Sequence, residues 1–180
     1  MALKHVIYLT NITDAKVTPS GGTSKDVEGI AEVKVSADVV NAEAKGDCVI
    51  KSYYSKTLKS KLEFNHAVLS LDVLGALLGE TVADAGSTPS QTATLSVKST
   101  SHPYFKFEGR TTDIVDEVGL GLSPTDAHII IYKCKIDSWN IEFKDNDYWQ
   151  VSFTATAIPD PNNLDKIMDI KLYEKTTSIT

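Results

Sequence analysis

The sequence predicts a mainly β fold: an antiparallel β-sandwich or barrel with one short flanking α-helix at about residues 70–79, long loops and an extended terminal arm. Three observations support this class. Many short stretches alternate apolar and polar side chains with a period of two, as half-buried strands do. Segments rich in glycine, proline and asparagine separate these stretches. Finally, a single stretch has the composition and the end signals of a helix.

The strands and loops can be placed along the chain from this alternation. Strands are expected at 3–10, 29–40, 48–54, 57–64, 91–98, 103–110, 128–143 and 148–158. Residues 11–28 hold Pro19, Gly21 and Gly22 and are interpreted as a long mobile loop. Further loops are expected at 80–90 and 111–127, and PDPNN ends the sheet before a terminal arm at 159–180. The 180 residues suffice for one domain with a full core.

The helix is expected at Leu71–Leu78, where nearly every side chain is apolar. Ser70 is a good N-cap, and Gly79 suits the position after the last helical residue. Two turns are too short to be stable alone. We therefore expect the helix to be held between the sheet and another part of the chain.

In the first strand of the closing hairpin, the apolar residues change from even-numbered to odd-numbered positions. Tyr132, Cys134 and Ile136 form one alternating set, and Trp139, Ile141 and Phe143 form a second set displaced by one residue. In the second strand the alternation is regular, with apolar residues at Trp149, Val151, Phe153, Ala155 and Ala157. A bulge near Asp137-Ser138 would absorb the extra residue. Alternatively, the strand presents apolar side chains to the core and to a partner in turn.

Composition limits the partners that the chain can have. Apolar residues make up 42% and charged residues 23%, which argues against overall disorder. The net charge of −6 is spread along the chain, and no basic cluster of the kind that holds nucleic acid is present. No basic region followed by an apolar run opens the chain, and no apolar stretch approaches ~20 residues, so neither a signal peptide nor a membrane span is expected.

No enzyme, metal or cofactor signature emerges from the motifs. His5, His66, His102 and His128 are scattered without metal-ligand spacing, and Cys48 and Cys134 are interpreted as buried reduced thiols. Asp145-Asn146-Asp147 resembles the start of a calcium loop, but the later glycine and closing glutamate of that loop are missing, so a turn is favoured. GLGLSP lacks the third glycine of a phosphate site, and no serine lies in a G-x-S-x-G elbow. A non-catalytic role without cofactors is therefore favoured.

The order of these elements resembles the major tail tube proteins of long-tailed bacteriophages. The similarity covers most of residues 25–160, through GIAEVKVSADVV, LEFNHAVLSLDVLGALLGE and YKCKIDSWNIEFKDNDYWQVSFTATAIPD. Its most specific parts are Leu62 to Glu80 and the closing hairpin. Tube proteins of contractile tails and of type VI secretion share this fold, so the sequence does not separate the three.

This resemblance implies a virion protein of the tail, assembled in the host cytoplasm, that closes into rings of six with a continuous inner sheet. Stacked rings would carry viral DNA without binding it specifically, and the implied partners are further copies and the tape-measure, tail-tip and tail-terminator proteins, with no membrane. Loops at 11–28, 41–57 and 80–90 would bridge subunits or rings. Candidate subunit contacts are Tyr53, Tyr54, Ile129, Ile131, Trp139 and Ile141. Acidic candidates for the lumen are Asp38, Glu63, Asp145 and Asp147.

Two other classes remain open at this stage. A carbohydrate-binding or adhesin-like β-sandwich would use Trp139, Trp149 and Tyr104 as a stacking platform, although both tryptophans fit core-facing positions. A small enzyme with an unrecognised site would show a cleft with perturbed titratable groups. For Tyr53-Tyr54, one ring in the core and one half exposed is as compatible with the sequence as an interface anchor.

Overall fold

Twelve strands and one α-helix make up the described part of a computed structural model, which covers residues 8–9, 12–46, 49–66, 70–112, 114–115, 124–143 and 150–179. The helix α1 is Leu71–Leu78, and a 3-10 turn spans Pro161–Asn163. The strands are β1 Tyr8–Leu9, β2 Asp14–Pro19, β3 Lys25–Asp26, β4 Ile30–Gly46, β5 Val49–His66, β6 Val82–Ala85, β7 Thr92–Leu95, β8 Phe105–Thr111, β9 Ile114–Val115, β10 Asp126–Glu142, β11 Gln150–Ala157 and β12 Met168–Tyr173. All of their pairings are antiparallel, so the predicted mainly β class with one short helix is confirmed.

One eight-stranded sheet bends at β10, and its two halves are called here the first and the second sheet; β1 with β9, and β6 with β7, form two further two-stranded sheets. The first half of β10 pairs with β8 on one side and β12 on the other, and this forms the first sheet, in the order β3–β2–β8–β10–β12. The second half of β10 pairs with β11, and this forms the second sheet, in the order β10–β11–β5–β4. The register of β10 shifts between Ile131 and Cys134 and again between Ile136 and Ser138. Among the described residues the sheets do not close into a barrel.

The two sheets face each other across one hydrophobic core. The Phe64 ring of β5 stacks on the Phe107 ring of β8 with centroids 5.8 Å apart, and it lies 5.1 Å from the Phe153 ring of β11. Contacts of this kind join residues from both sheets and from α1 into a single buried cluster. The largest fully buried apolar side chains in it are Phe64, Phe105, Phe107, Phe153, Leu62, Leu77, Leu78, Ile131, Val17, Val73 and Val151. The architecture is therefore a sandwich.

The predicted bulge at Asp137-Ser138 is confirmed. Ile136 pairs with Ala155 and Ser138 pairs with Thr154, so Asp137 is the extra residue on β10. Beyond the bulge, Trp139 lies opposite Phe153, which keeps the second apolar set on the core-facing side of the second sheet. The extra residue of the bulge therefore explains why the apolar residues move from even to odd positions in the sequence. The other tryptophan, Trp149, lies outside the described residues.

The predicted helix and both of its ends are also confirmed. Ser70 Oγ accepts a hydrogen bond from Val73 N at 3.3 Å, and Gly79 adopts the left-handed conformation with φ of 78°. Apolar side chains of α1 are buried on more than one side, where the helix contacts β2, β3, β6 and β7. This placement satisfies the expectation that so short a helix must be held by packing. It is too short to span a membrane, and no other α-helix occurs in the described ranges.

Gly79 offers a stability test with an internal control. A Cβ added at Gly79 would lie 2.8 Å from Pro103 Cδ, whereas one added at Gly21, with a nearly identical φ of 77°, would meet nothing within 4 Å. Both Gly79→Ala and Gly21→Ala impose a left-handed alanine, which costs about 1–2 kcal/mol. We expect Gly79→Ala to lower the free energy of unfolding further than Gly21→Ala, as measured by urea denaturation. Equal losses of unfolding free energy in the two variants would mean that Pro103 moves aside without an energetic cost.

Four loop or arm assignments are corrected by the structure. Residues 11–28 hold β2 and β3 and bury Ala15, Val17 and Val27, so this segment is not a long loop. Residues 41–57 lie largely in β4 and β5, and residues 159–180 hold β12, which pairs with β10 instead of extending away. The expected loop at 80–90 includes β6, which pairs with β7. Much of the loop expected at 111–127 lies outside the described residues.

Candidate assembly surfaces

The second sheet has two strand edges without a partner strand in the described part of the chain. At one edge, β4 pairs with β5 alone. At the opposite edge, β10 pairs with β11 alone from Ile136 to Glu142, since its pairing with β8 ends at Cys134. Strand edges of this kind present backbone N–H and C=O groups that can accept another strand. The sheet can therefore be extended on both sides.

The outward face of the second sheet is polar and carries charges of both signs. Neighbouring positions across the four strands carry hydroxyl, amide and charged side chains in nearly every row. The carboxylates on this face are Glu32, Asp38, Glu63, Asp137 and Glu142, and the ammonium groups are Lys34, Lys59, Lys61 and Lys135. Most of them are paired with each other across short distances. The face therefore has a dense distribution of charge with one carboxylate in excess.

The two described acidic lumen candidates both lie on this polar face. Asp38 Oδ2 is 3.4 Å from Lys59 Nζ, and Glu63 Oε1 is 2.6 Å from Lys61 Nζ. The hydrogen bond from Lys61 and its charge hold the pKa of Glu63 below its usual range. The same pair raises the pKa of Lys61. The other two candidates, Asp145 and Asp147, lie outside the described residues.

The outer part of the β4–β5 hairpin forms an arm, defined here as the β4 and β5 residues between Asp38 and Lys59. The strand β11 accompanies β5 only from Ser60 to His66, so beyond that point the hairpin is a two-stranded ribbon. At ~3.3 Å per residue the arm reaches roughly 30 Å from the sandwich. A register shift after Asp38 leaves Leu58 as an extra, exposed residue at its base.

Both faces of the arm carry exposed apolar side chains. Val39 and Tyr53 lie on one face, and Val40 and Tyr54 lie on the other, according to the strand register. The tyrosines are 60% and 54% exposed, so neither ring packs in the core. A two-stranded ribbon without a packed face is marginally stable on its own. The arm therefore has the features of a surface that is covered in an assembly.

The remaining contact candidates lie on β10 and differ in exposure. Ile131 is fully buried in the core, and Ile129 packs against that core while partly exposed. Trp139 and Ile141 lie near the open edge, and Trp139 is exposed over about a third of its surface. Tyr104 of the rival platform lies before β8, between lysine side chains. Sequence periodicity alone did not distinguish core from edge within this long strand.

A C-terminal strap, residues 174–179, crosses the outer face of the first sheet. Thr177 N donates a hydrogen bond to Asp126 Oδ2 at 2.6 Å, and Thr177 O accepts one from His128 Nε2 at 2.9 Å. Lys16 Nζ donates to Ile179 O at 2.9 Å, and the Ile179 side chain is buried. This strap has no signal in the sequence, because its anchors are mainly backbone groups of a polar segment.

Asp126 is the central group beneath the strap. It is 0% exposed, and Arg110 Nε donates to both of its oxygens at 3.0–3.1 Å. Burial opposes ionisation of this carboxyl, but the hydrogen bonds from Thr177 N and Arg110 outweigh it, so its pKa is lowered. Because the folded pKa is lowered, the contribution of Asp126 to stability is complete above its unfolded value of about 4 and is lost as pH falls through the folded value.

We expect Thr177→Pro to open the strap and Thr177→Ala to leave it closed. Proline removes the N–H that Asp126 accepts, whereas alanine removes only the hydroxyl, which bonds to Lys175 O within the strap. Losing a donor to a buried carboxylate costs about 1–3 kcal/mol. Tryptic cleavage after the exposed Lys175 should accordingly accelerate roughly tenfold or more in Thr177→Pro. Similar cleavage rates in both variants would show that this bond does not hold the strap.

A cluster of side chains that could hold a metal ion does not occur in the described residues. There, no three His, Cys, Asp or Glu side chains cluster as metal ligands would. Cys134 is buried, and that burial raises the pKa of its thiol to about 12, so it is unreactive at neutral pH. Burial and a 2.6 Å hydrogen bond to Asp169 likewise raise the pKa of Tyr132 to about 12. Cys48 and His5 lie outside the described residues.

The solved structures that match this chain include a distant structural neighbour. It is a chain in the six-fold symmetrised cryo-EM structure of the anti-feeding prophage baseplate, with 7% sequence identity and a TM-score of 0.43. The alignment covers 94% of this chain and 97% of that chain. At that TM-score the likeness identifies neither the fold nor the role. No protein-family model and no curated protein matches the sequence.

Proposed function

We propose that this chain is a structural subunit of a phage-type tail tube. Copies join edge to edge into rings, with six copies to a ring, and stacked rings form a hollow conduit through which DNA passes without specific binding. The observation that carries this proposal is the second sheet, which is open at β4 and at β10 and polar on its outward face. Both features are what a continuous inner wall requires.

Edge pairing is the contact that would close the ring. If β4 of one copy pairs with the second half of β10 in the next copy, the second sheets become one sheet. Such a contact is heterologous, because the two edges differ, and a heterologous contact closes into a ring when its rotation divides a full turn. Ring closure also removes the exposed edges, which would otherwise promote uncontrolled pairing.

The polar face suits the inside of a DNA conduit. A wall with net positive charge would bind the phosphate backbone through counterion release and slow its passage. On the outward face of the second sheet, five carboxylates accompany four ammonium groups, and Asp38 and Glu63 are each next to a lysine. Hydroxyls such as those of Ser36, Thr154 and Thr156 occupy positions between them. Such a wall is hydrated without attracting a polyanion.

Electron microscopy of the purified chain tests the proposed assembly directly. Negative-stain images of samples at several concentrations, with and without added tail-tip complexes, should show rings or hollow tubes with six-fold end views. Compact monomers under every one of these conditions would contradict the proposal. In that case the rival sandwich interpretation is the one to pursue, by measuring whether glycans quench tryptophan fluorescence.

An engineered disulfide tests the edge contact itself. Glu32 on β4 and Asn140 on β10 occupy the same row of the polar face, three strand spacings apart, which is roughly 14 Å. A disulfide cannot span that distance within one copy. In a Cys48→Ser background, Glu32→Cys with Asn140→Cys should form ladders of linked chains on oxidation. The two single-cysteine variants are the controls and should give dimers at most.

A further inference from the structure

Opposite ends of the first sheet carry opposite charges. Strands β2 and β8 run antiparallel, so that Asp14 pairs with Arg110 at one end and Pro19 pairs with Phe105 at the other. Five residue steps separate these ends, which is roughly 17 Å along the strands. We call the Pro19 end the basic end, because lysines lie there, and the Asp14 end the acidic end, because carboxylates lie there.

The basic end consists of Tyr104, Lys133 and Lys135. Lys133 Nζ lies 4.9 Å and Lys135 Nζ 5.3 Å from the centre of the Tyr104 ring, so the ring holds both ammonium groups in place. Both lysines flank Cys134, which pairs with Phe105 at this end of β8. Neither has a carboxylate within ion-pair distance among the described residues, although Lys135 also donates to Ser101 Oγ at 3.0 Å. Their charge is therefore available to a partner.

The acidic end is a recess of about 510 Å³ lined by Asp14, Asp26 and Glu28. Between the last two, Val27 is buried in the core, and both of its acidic neighbours are exposed. Asp26 lies 3.9 Å from Lys16 Nζ, which is a weak pairing, and the structure gives Asp14 and Glu28 no cationic partner in its described part. This end therefore presents uncompensated negative charge.

We propose that the basic end of one copy docks against the acidic recess of another copy. The partner is thus a second copy of this chain, placed in line with the first along β2 and β8. The inference rests on the proposed tube and assigns this contact to the stacking of rings, as distinct from the edge pairing within a ring. Two basic ends, or two acidic ends, repel each other. The charges therefore favour a stack in which every copy has the same orientation.

The physical effect of such a contact is on rate and orientation. Exposed ion pairs add little to affinity, but complementary charges accelerate encounter and exclude wrong orientations. A heterologous contact that does not close produces an open, growing chain of copies, which is the geometry of a stack. Salt should weaken the contact, because charges separated by more than a Debye length are screened.

Zero-length crosslinking of the unmodified protein tests the contact. A carbodiimide joins a lysine to a carboxylate only when the two side chains touch, and the ends of one sheet are too far apart to touch each other. Equal amounts of ¹⁴N- and ¹⁵N-labelled protein are mixed, crosslinked at low salt and analysed by mass spectrometry. We expect mixed-isotope peptides that join Lys133 or Lys135 to Asp14, Asp26 or Glu28, and their yield should fall several-fold in high salt.

The outcomes separate this inference from the proposed tube. Assemblies that form without these crosslinks overturn the charged contact and leave the tube intact. If neither assemblies nor crosslinks form, even with added tail-tip complexes, both are overturned. Crosslinks with an equal yield in high salt would show that the ends meet without electrostatic selection, which also contradicts the inference.

Charge exchange gives a second, independent test. We expect Lys133→Glu with Lys135→Glu to slow assembly about tenfold or more at low salt, and Asp14→Lys with Glu28→Lys to do the same. Mixing the two variants should restore much of the rate, because each then offers one complementary end. Lys171→Glu with Lys175→Glu, which changes the net charge equally at exposed lysines without an ion pair among the described residues, is the matched control. Equal slowing by the control would assign the effect to net charge alone.

Discussion

Replacing Phe107 by alanine is expected to lower the free energy of unfolding by about 3–5 kcal/mol. The Phe107 side chain is 0% exposed, and its ring stacks at 5.8 Å on Phe64 of the opposite sheet. Truncation therefore removes buried apolar surface from the first sheet and a packing partner from the second. Equilibrium denaturation in guanidinium chloride, followed by circular dichroism, measures the loss as a lower midpoint.

Phe143→Ala is the matched control for this prediction. It deletes the same side chain from a position after the end of β10 that is 64% exposed. Because most of its surface is already in water, the change should cost under about 1 kcal/mol. Comparable losses in the two variants would contradict a core centred on the Phe64–Phe107 contact.

Replacing both arm tyrosines, with Tyr53→Ser and Tyr54→Ser, is expected to raise the concentration needed for assembly by tenfold or more. Tyrosine is enriched among the interface residues whose truncation costs about 2 kcal/mol or more, and these two rings extend from opposite faces of an unsupported ribbon. The sandwich itself should keep its stability, because neither ring contributes to the core. Sedimentation velocity over a concentration series measures the effect.

Ser52→Ala with Ser55→Ala provides the comparison for the arm. These serines are exposed neighbours on the same strand, and their truncation changes the surface of the arm very little. Wild-type assembly by the tyrosine variant would show that the arm is not an interface. A similar defect in both variants would instead point to a disrupted ribbon.

The sequence predicted the elements whose signals are local. The helix was placed correctly because Ser70 and Gly79 mark its ends and the residues between them are apolar. The bulge was placed correctly because an alternation of period two cannot slip by one residue without an extra residue such as Asp137. In both cases the determinant lies within a few residues of the feature.

The sequence-based prediction was wrong where an element is determined by residues far away in the sequence, or where neither face of a strand is buried. Residues 11–28 resembled a loop because of their glycine and proline, yet Ala15 and Val17 pair with β8 almost a hundred residues later. In the arm, neither face packs on a core, so the usual contrast of apolar and polar sides is missing from 41–57. The strap is fixed by the backbone N–H and C=O of Thr177, which any residue type except proline would supply.

The candidate surfaces were predictable only in part for the same reason. Tyr53, Tyr54, Asp38 and Glu63 were selected from the sequence and lie on exposed surfaces. Ile131 was selected by the same alternation but is buried, since period two distinguishes the faces of a strand and not the depth at each point. The charged ends of the first sheet depend on which strands pair, and pairing is not encoded locally.

The sharing of β10 by both sheets has a mechanical consequence. In a sandwich whose sheets meet only through side chains, a pull on one sheet can peel it from the other by parting apolar contacts. Here the covalent backbone of β10 continues from one sheet into the other, and β8, β12 and β11 hold it along its length. Tension applied at the edge of one sheet must therefore shear many hydrogen bonds at once before the halves separate. Each subunit would then carry stress as one stiff piece.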